Sequence, residues 1–238
     1  MTSAGNTRSL RLVSLNVGEP RPLAYRGRTV QSGIVKPPVS GPRWLGETGL
    51  QGDAQADLDN HGGPEKAVCV YPLEHYPYWT ERLGKSLEPG SFGENFSTQG
   101  LSETEVCIGD VYWVGSSLLQ VSQPRQPCYK LAARHGVPEM AAWVQEQGRT
   151  GFYLRCLEPG EVRAGDEVSL VERPAGAVSV TGANRVMHHD RHDREGIRAL
   201  LAMGELLAGS WRTKLEKRLA GAEEDPTLRL EGPASGGS

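Results

Sequence analysis

The stretch Gly109-Asp110-Val111-Tyr112-Trp113-Val114 shows the pattern that decides the fold of this 238-residue chain. A Gly-Asp turn leads into a short apolar run, and the same arrangement returns at Gly165-Asp166-Glu167-Val168-Ser169-Leu170. Such runs after turn residues are typical of strand entries. From Leu10 to about Arg173 short strands alternate with turns, and the regular strand-helix alternation of a parallel sheet is missing. The pattern predicts a mainly β, barrel-like domain with inserted helices, an α+β fold.

Three helices are predicted inside this domain, at Leu73 to Leu83, Tyr129 to His135 and Pro138 to Gln147. In these segments proline stands near a helix start or glycine near a helix end. The first domain is therefore assigned to residues 1 to 173.

After this domain the apolar residues recur at helical spacing. They are Ile197, Leu200, Leu201, Trp211, Leu215 and Leu219. We predict a small three-helix domain over residues 174 to 221. The Gly- and Ser-rich end of the chain predicts a flexible tail over residues 222 to 238.

The composition excludes several classes of protein. Hydrophobic residues make up 37%, charged residues 23%, and 30 glycines with 16 prolines indicate a turn-rich globular protein rather than a disordered one. The net charge is only −3 and no run of Lys or Arg is present, so a nucleic-acid polymer is not an expected partner. No signal peptide and no apolar run of roughly 18 residues is present, so we expect a cytoplasmic protein without a membrane partner.

The four cysteines have no CxxC spacing, which argues against a zinc knuckle or a redox dithiol. Cys69, Cys107 and Cys156 stand in apolar strand contexts, where a thiol acts as a small hydrophobic residue. Cys128 differs, because prolines stiffen the chain before it and a predicted helix follows it.

Cys128 is the candidate metal ligand or nucleophile. A helix N-terminus, Arg125 and Lys130 are each expected to favour its thiolate form. A thiolate suits a transition metal better than calcium or magnesium. The alternative, a turn cysteine without a role, is about as well supported by the local sequence alone.

Several loops carry candidates for binding an anion or a heterocycle. His61 and Lys66 flank the Gly62-Gly63 pair, whose backbone N–H groups could face an anion. Asn95 can both donate to and accept from a heterocycle edge. Lys36 could pair with a phosphate. Each also has an ordinary interpretation, as a tight turn or a hydrated lysine.

The C-terminal part contains a group that resembles a metal cluster. Its members are His188, His189, His192 and Asp193. Because no further ligand is evident nearby, a polar helix start or a surface loop is the favoured interpretation.

Four blocks in order resemble the YiiM-like branch of the MOSC family, whose name refers to the molybdenum cofactor sulfurase C-terminal domain. The blocks are Gly49-Leu50-Gln51-Gly52-Asp53-Ala54-Gln55-Ala56-Asp57, His61-Gly62-Gly63-Pro64-Glu65-Lys66-Ala67-Val68, Phe92-Gly93-Glu94-Asn95-Phe96-Ser97 and Gln123-Pro124-Arg125-Gln126-Pro127-Cys128-Tyr129-Lys130-Leu131. The stretch from Ser210 to Arg218 resembles the three-helix domain of the same branch.

The resemblance implies a MOSC β-barrel that carries a molybdenum-pterin cofactor, with Cys128 as the metal ligand and catalytic residue. It implies that the cofactor pocket contains Lys36, His61, Lys66, Asn95, Arg125 and Cys128, and that Glu94 could help to orient the pterin or the substrate. The implied activity is reduction of N-hydroxylated compounds, including 6-hydroxylaminopurine, a detoxification. A separate flavoprotein reductase is the implied electron donor, since the chain has no flavin or dinucleotide motif of its own.

Two other functions remain open at this point. The protein could carry molybdenum cofactor or activated sulfur without a substrate of its own, with Cys128 as a persulfide or transfer site. Alternatively, the C-terminal helices could dock another protein, although Trp211 and its apolar neighbours are more typical of a core.

Overall fold

A computed structural model describes residues 10 to 57 and 61 to 233 of the chain. Within these ranges the strands are β1 Arg11–Leu15, β2 Arg21–Tyr25, β3 Arg28–Ser32, β4 Arg43–Gly46, β5 Gly49–Leu50, β6 Val68–Pro72, β7 Phe96–Gln99, β8 Val111–Val114, β9 Ser117–Pro124, β10 Phe152–Glu158, β11 Gly160–Val162 and β12 Val168–Glu172. The two quoted Gly-Asp stretches therefore lead into β8 and β12, as predicted.

Seven strands form one curled sheet in the order β1-β7-β6-β10-β9-β8-β12. Its neighbours are antiparallel except for β6 and β7, which are parallel. The outer strands meet, because Leu12 N–H donates to Asp166 O and Val168 N–H donates to Leu10 O, both at 2.9 Å. This closure confirms the predicted mainly β, barrel-like fold.

Helices interrupt and follow the barrel. They are α1 Tyr76–Leu83, α2 Lys130–His135, α3 Met140–Glu146, α4 Val180–Asn184, α5 Arg194–Ala202, α6 Gly209–Leu219 and α7 Thr227–Glu231. The first three fall within the predicted helical segments, where a 3-10 turn at Leu73–His75 precedes α1. None of the helices in the described ranges is long and apolar enough to cross a membrane.

The C-terminal helices α4 to α6 pack directly on the barrel. Trp211 and Leu215 of α6 are fully buried, as is Leu200 of α5, in the same apolar cluster as barrel residues such as Leu119 and Phe152. These side chains form core, so they are not available as a docking surface for another protein.

Residues 222 to 233 differ from the predicted flexible tail. They include α7, and Arg229 of that helix forms hydrogen bonds with the segment that follows β9. The composition did not reveal this because the segment gains its partners only from distant parts of the folded chain. Residues 234 to 238 lie outside the described residues.

Candidate functional site

All six predicted site residues line one cleft. They are Lys36, His61, Lys66, Asn95, Arg125 and Cys128. The sheet order explains the convergence: β6, β10 and β9 are neighbours, and the loops that precede or follow them carry most of these side chains. Residues 67 positions apart in sequence, such as His61 and Cys128, thus come into contact.

Cys128 lies in the short turn between β9 and α2. Its side chain is only 8% exposed, and its Sγ atom lies 3.3 Å from His61 Nε2. The other ring nitrogen of His61, Nδ1, lies 3.4 Å from Asp57 Oδ2. The thiol therefore has the positioned partner that the local sequence did not reveal.

The surroundings of Cys128 favour its thiolate form. Burial by itself raises the pKa of this thiol, but the hydrogen bond and charge of His61, the backbone N–H of Lys130 and the charge of Arg125 together lower it to about 7. The side chain of Lys130, which the sequence suggested as a contributor, lies 3.6 Å from Asp57 instead. Its help to the thiolate comes through its backbone N–H.

We expect Cys128 in cofactor-free protein to react with iodoacetamide with a midpoint near pH 7, because only the thiolate attacks. Since the pKa is lowered, the reactive form is populated above this pH and lost below it. In a His61→Gln variant the midpoint should increase toward the ordinary cysteine value of about 8.5. Alkylation rates at each pH, resolved by peptide mass spectrometry, give the midpoint.

Cys156 is the internal control for this measurement. Burial raises its pKa, so its alkylation should become fast only above the ordinary range. An identical Cys128 midpoint in wild type and His61→Gln would contradict the assigned role of the His61 ring.

The cationic groups of the cleft are held in different ways. Lys36 is 7% exposed and pairs with Asp53, whose side chain is fully buried. Burial lowers the pKa of Lys66, against the opposing influence of Glu65. Since the charges of Lys36 and Asp53 compensate each other, Lys36 contributes an ion pair to the cleft rather than an isolated positive charge.

Arg125 shows the clearest capacity for a bound group. Its side chain is 6% exposed, and its Nη1 atom is buried without a hydrogen-bond partner among the described residues. Its backbone N–H donates to Gly151 O at 3.0 Å, which fixes the chain between β9 and Cys128. A buried guanidinium donor without a partner is a strong attractor for an anionic or carbonyl oxygen.

Asn95 lies in the wall of the cleft and also joins three strands. Its Oδ1 accepts from Cys69 N–H at 3.1 Å, and its Nδ2 donates to Asn16 O at 3.3 Å. Since both ends of the amide already have backbone partners, its first role is to hold β1, β6 and β7 together. The second N–H of the amide has no acceptor among the described residues.

Glu94 does not have the suggested role in orienting a cofactor or substrate. It is fully buried and accepts hydrogen bonds from Tyr76 Oη, Ser97 Oγ and the backbone N–H groups of Gly90 and Phe92. The carboxylate thereby organises the loop that carries Gly93 and Asn95 into the cleft wall.

The turn glycines also divide into two kinds. Gly93 lines the cleft at a φ of 77°, and a Cβ there would lie 2.6 Å from Ile34 Cγ1, so this close approach requires glycine. Gly62 and Gly63 lie outside the lining of the cleft and lead into a 3-10 turn at Pro64–Lys66. Their N–H groups are therefore not part of the lining that the described residues form around Cys128.

A second, wider cleft meets the first one at Cys128. His61, Lys66, Cys128 and Tyr153 line both clefts. The C-terminal part of the chain supplies much of the remaining wall, with residues such as Lys214 and Arg229. The sequence does not indicate this second cleft, because the segments that line it are far apart along the chain.

The histidine group of the C-terminal domain spans the end of one helical segment and the start of the next: His188 and His189 end a π-helical turn at Arg185–His189, and only Asp193 is at the start of α5. Asp193 caps α5 by accepting from Gly196 N–H at 2.8 Å, and it also pairs with Arg185. Burial lowers the pKa of His188 to about 3, and its ring packs edge-on against Trp211. Within the described ranges, no group of three or more His, Cys, Asp or Glu side chains could hold a metal ion.

Together, the fold and the site define a β-barrel protein with an attached helical domain and a cleft that contains Cys69, Cys128 and several basic side chains. Models of two families match the chain, the MOSC domain at residues 57 to 169 and the YiiM-like 3-alpha helix domain at residues 178 to 222. The chain belongs to the MOSC family, in its YiiM-like branch. This family is associated with the molybdenum cofactor.

Known proteins resemble the chain over most of its length. The uncharacterized protein YflK of Bacillus subtilis (strain 168) is 47% identical over 207 residues, which cover 87% of this chain and 93% of YflK. The crystal structure of YiiM from Geobacillus stearothermophilus matches with a TM-score of 0.76 and 39% identity, covering 88% of this chain and 99% of that one.

A protein named "Reductase" from Gibberella moniliformis (strain M3125 / FGSC 7600) is 40% identical over 167 residues. These cover 68% of this chain but only 29% of the reductase. The larger part of that protein therefore has no counterpart in the matched region.

The residues around Cys128 fit a molybdenum cofactor. A buried thiol with a lowered pKa is a suitable soft ligand, and the buried Nη1 of Arg125 offers a hydrogen bond to an oxygen of the cofactor. Lys66 and Lys130 add positive charge near an anionic group.

Proposed function

We propose that this protein binds molybdenum cofactor through the Cys128 thiolate and reduces N-hydroxylated compounds, such as 6-hydroxylaminopurine. The observation that supports this most is the position of a thiol with a lowered pKa where a cationic cleft meets a wider one. The reductase-named relative points toward the same kind of chemistry. A separate flavoprotein reductase supplies electrons in this proposal.

The narrower cleft suits the cofactor. Four basic side chains line it, namely Lys36, Lys66, Arg125 and Lys130, of which Lys36 is paired with Asp53 and Lys130 lies 3.6 Å from Asp57. Arg125 and Lys66 would hold an anionic phosphate, and the free N–H of Asn95 would orient a heterocycle edge. When bound, the cofactor would supply the two-electron chemistry that turns an N–OH group and two protons into N–H and water.

The wider cleft suits the substrate. Tyr153 and Cys128 line both clefts, so the wider cleft reaches the proposed metal-binding position. Gln123 and Gln126 place amide groups along its wall. Amides and a phenol can match the mixed donors and acceptors of a heterocyclic edge. The C-terminal segment forms one wall of this cleft, with Leu228 and Arg229 among its lining residues.

Metal analysis and activity assays with an artificial electron donor test this proposal, on protein purified from cells that make the cofactor. We expect molybdenum and pterin to co-purify with the wild type, and 6-hydroxylaminopurine to be reduced when dithionite-reduced viologen supplies electrons. Molybdenum without any reduction of hydroxylamines would favour a cofactor carrier instead. Protein without molybdenum from such cells would contradict both functions.

A further inference from the structure

The C-terminal segment contacts the backbone on both sides of Cys128. Arg229 Nη1 donates to the carbonyl oxygen of Pro127, the residue before the cysteine. The backbone carbonyl of Arg229 accepts from the N–H of Tyr129, the residue after it, at 2.8 Å. Arg229, which lies 101 positions after Cys128 in the sequence, thus forms hydrogen bonds with the residues on both sides of this cysteine.

The segment itself is fixed by further contacts. Arg229 Nη2 donates to Gln145 Oε1 at 2.7 Å, and Tyr25 Oη donates to the backbone carbonyl of Glu231 at 2.7 Å. Gly232 is buried, and a Cβ there would lie 2.7 Å from the Tyr129 ring. These contacts attach the segment to the barrel and α3, so Arg229 acts from a rigid support.

The turn that carries Cys128 depends on these bonds. Pro127 has no N–H, and the N–H of Tyr129 lies before the first turn of α2, where no intrahelical partner exists. Buried backbone groups that lose their partners are costly, so such a turn rearranges or opens to water when the partner is removed. The position of the thiol is therefore linked to the C-terminal segment.

We propose that Arg229 is a positioning residue for Cys128, and that residues 226 to 232 clamp the turn from Pro127 to Tyr129. The clamp holds the thiol at the junction of the two clefts. Because Arg229 and Leu228 also line the wider cleft, the same segment sets the substrate-side wall. The importance of the clamp for turnover rests on the proposed function, but the clamp itself acts without metal.

Alkylation of Cys128 in cofactor-free protein tests the clamp. Arg229→Met removes the guanidinium, and Arg229→Lys retains the charge but cannot form both side-chain bonds. At a pH well above the pKa of the thiol, where charge effects on ionisation no longer matter, both variants should react with iodoacetamide about tenfold faster than wild type. Rates within twofold of wild type in both variants would overturn the proposal.

Controls separate a local effect from general loosening. Glu231→Gln changes an exposed side chain of the same helix, keeps the backbone bond to Tyr25 and should react like wild type. Cys107 and Cys156 lie outside the lining of both clefts, so their alkylation should not change. Equal acceleration of all three cysteines would indicate a merely structural role and would count against the clamp.

Metal retention extends the test to loaded protein. Arg229→Lys should lose molybdenum during dialysis about tenfold faster than Glu231→Gln, because its ligand is less well held. If the wild type never contains molybdenum, the proposed function is contradicted, while the alkylation result still tests the clamp. If alkylation is unchanged in the Arg229 variants, the clamp is contradicted, while the metal analysis still tests the proposed function.

Discussion

Cys128→Ser is expected to leave the purified protein without molybdenum and to lower hydroxylamine reduction at least about a hundredfold. Loss of a residue that merely supports a metal ligand typically costs ten- to a hundredfold in affinity or activity, so loss of the ligand itself should cost more. A serine hydroxyl is a harder donor and does not ionise near neutral pH, unlike a thiol whose pKa is about 7.

Elemental analysis, pterin fluorescence and viologen-coupled rates measure this effect. Cys156→Ser is the matched control, because Cys156 is a thiol on β10 that lies outside the lining of both clefts. It should retain the metal content and turnover of wild type. Full metal content in Cys128→Ser, with a normal melting temperature, would show that another group holds the cofactor.

Glu94→Ala is expected to lower the free energy of unfolding by about 3 kcal/mol or more. The alanine would leave four buried donors without their acceptor, namely Tyr76 Oη, Ser97 Oγ, and the N–H groups of Gly90 and Phe92. For a chain of this size such a loss lowers the melting temperature by roughly 10 °C.

Thermal and urea unfolding give this difference directly. Glu81→Ala is the control: Glu81 is an exposed residue of α1, and its removal should change stability by less than about 0.5 kcal/mol. Equal stabilities of the two variants would mean that the loop from Gly90 to Ser97 does not depend on the carboxylate. Cofactor content should fall with the stability of Glu94→Ala, since this loop carries Asn95 and Gly93 into the cleft.

The sequence singles out Cys128 among the four cysteines, because prolines and a helix start mark it locally. It could not identify the partner of the thiol. His61 stands in a different loop, and nothing in the spacing of the two residues indicates a contact of 3.3 Å. The order of the strands makes that contact, since β6 and β9 both pair with β10 and the loop before β6 therefore lies beside the end of β9.

Local patterns were least informative where one side chain can serve two purposes. Glu94 and the Gly62-Gly63 pair have the composition of a ligand-binding loop, yet Glu94 is turned into the protein and the pair lies outside the cleft lining. A carboxylate satisfies backbone N–H groups as readily as it contacts a ligand. The direction of the side chain, which sequence does not reveal, decides between these roles.

Alternating short strands and turns, helical spacing near the end and four ordered blocks were enough to determine the barrel-like fold, the helical domain and the family. These features are local or sequential, so they can be read along the chain. Only the tertiary structure decided which side chains meet: the pairing of His61 with Cys128, the second cleft, and the grip of Arg229 on both neighbours of the thiol. Contacts between residues that are far apart in sequence arise from packing and strand order, and neither leaves a periodic signal in the sequence.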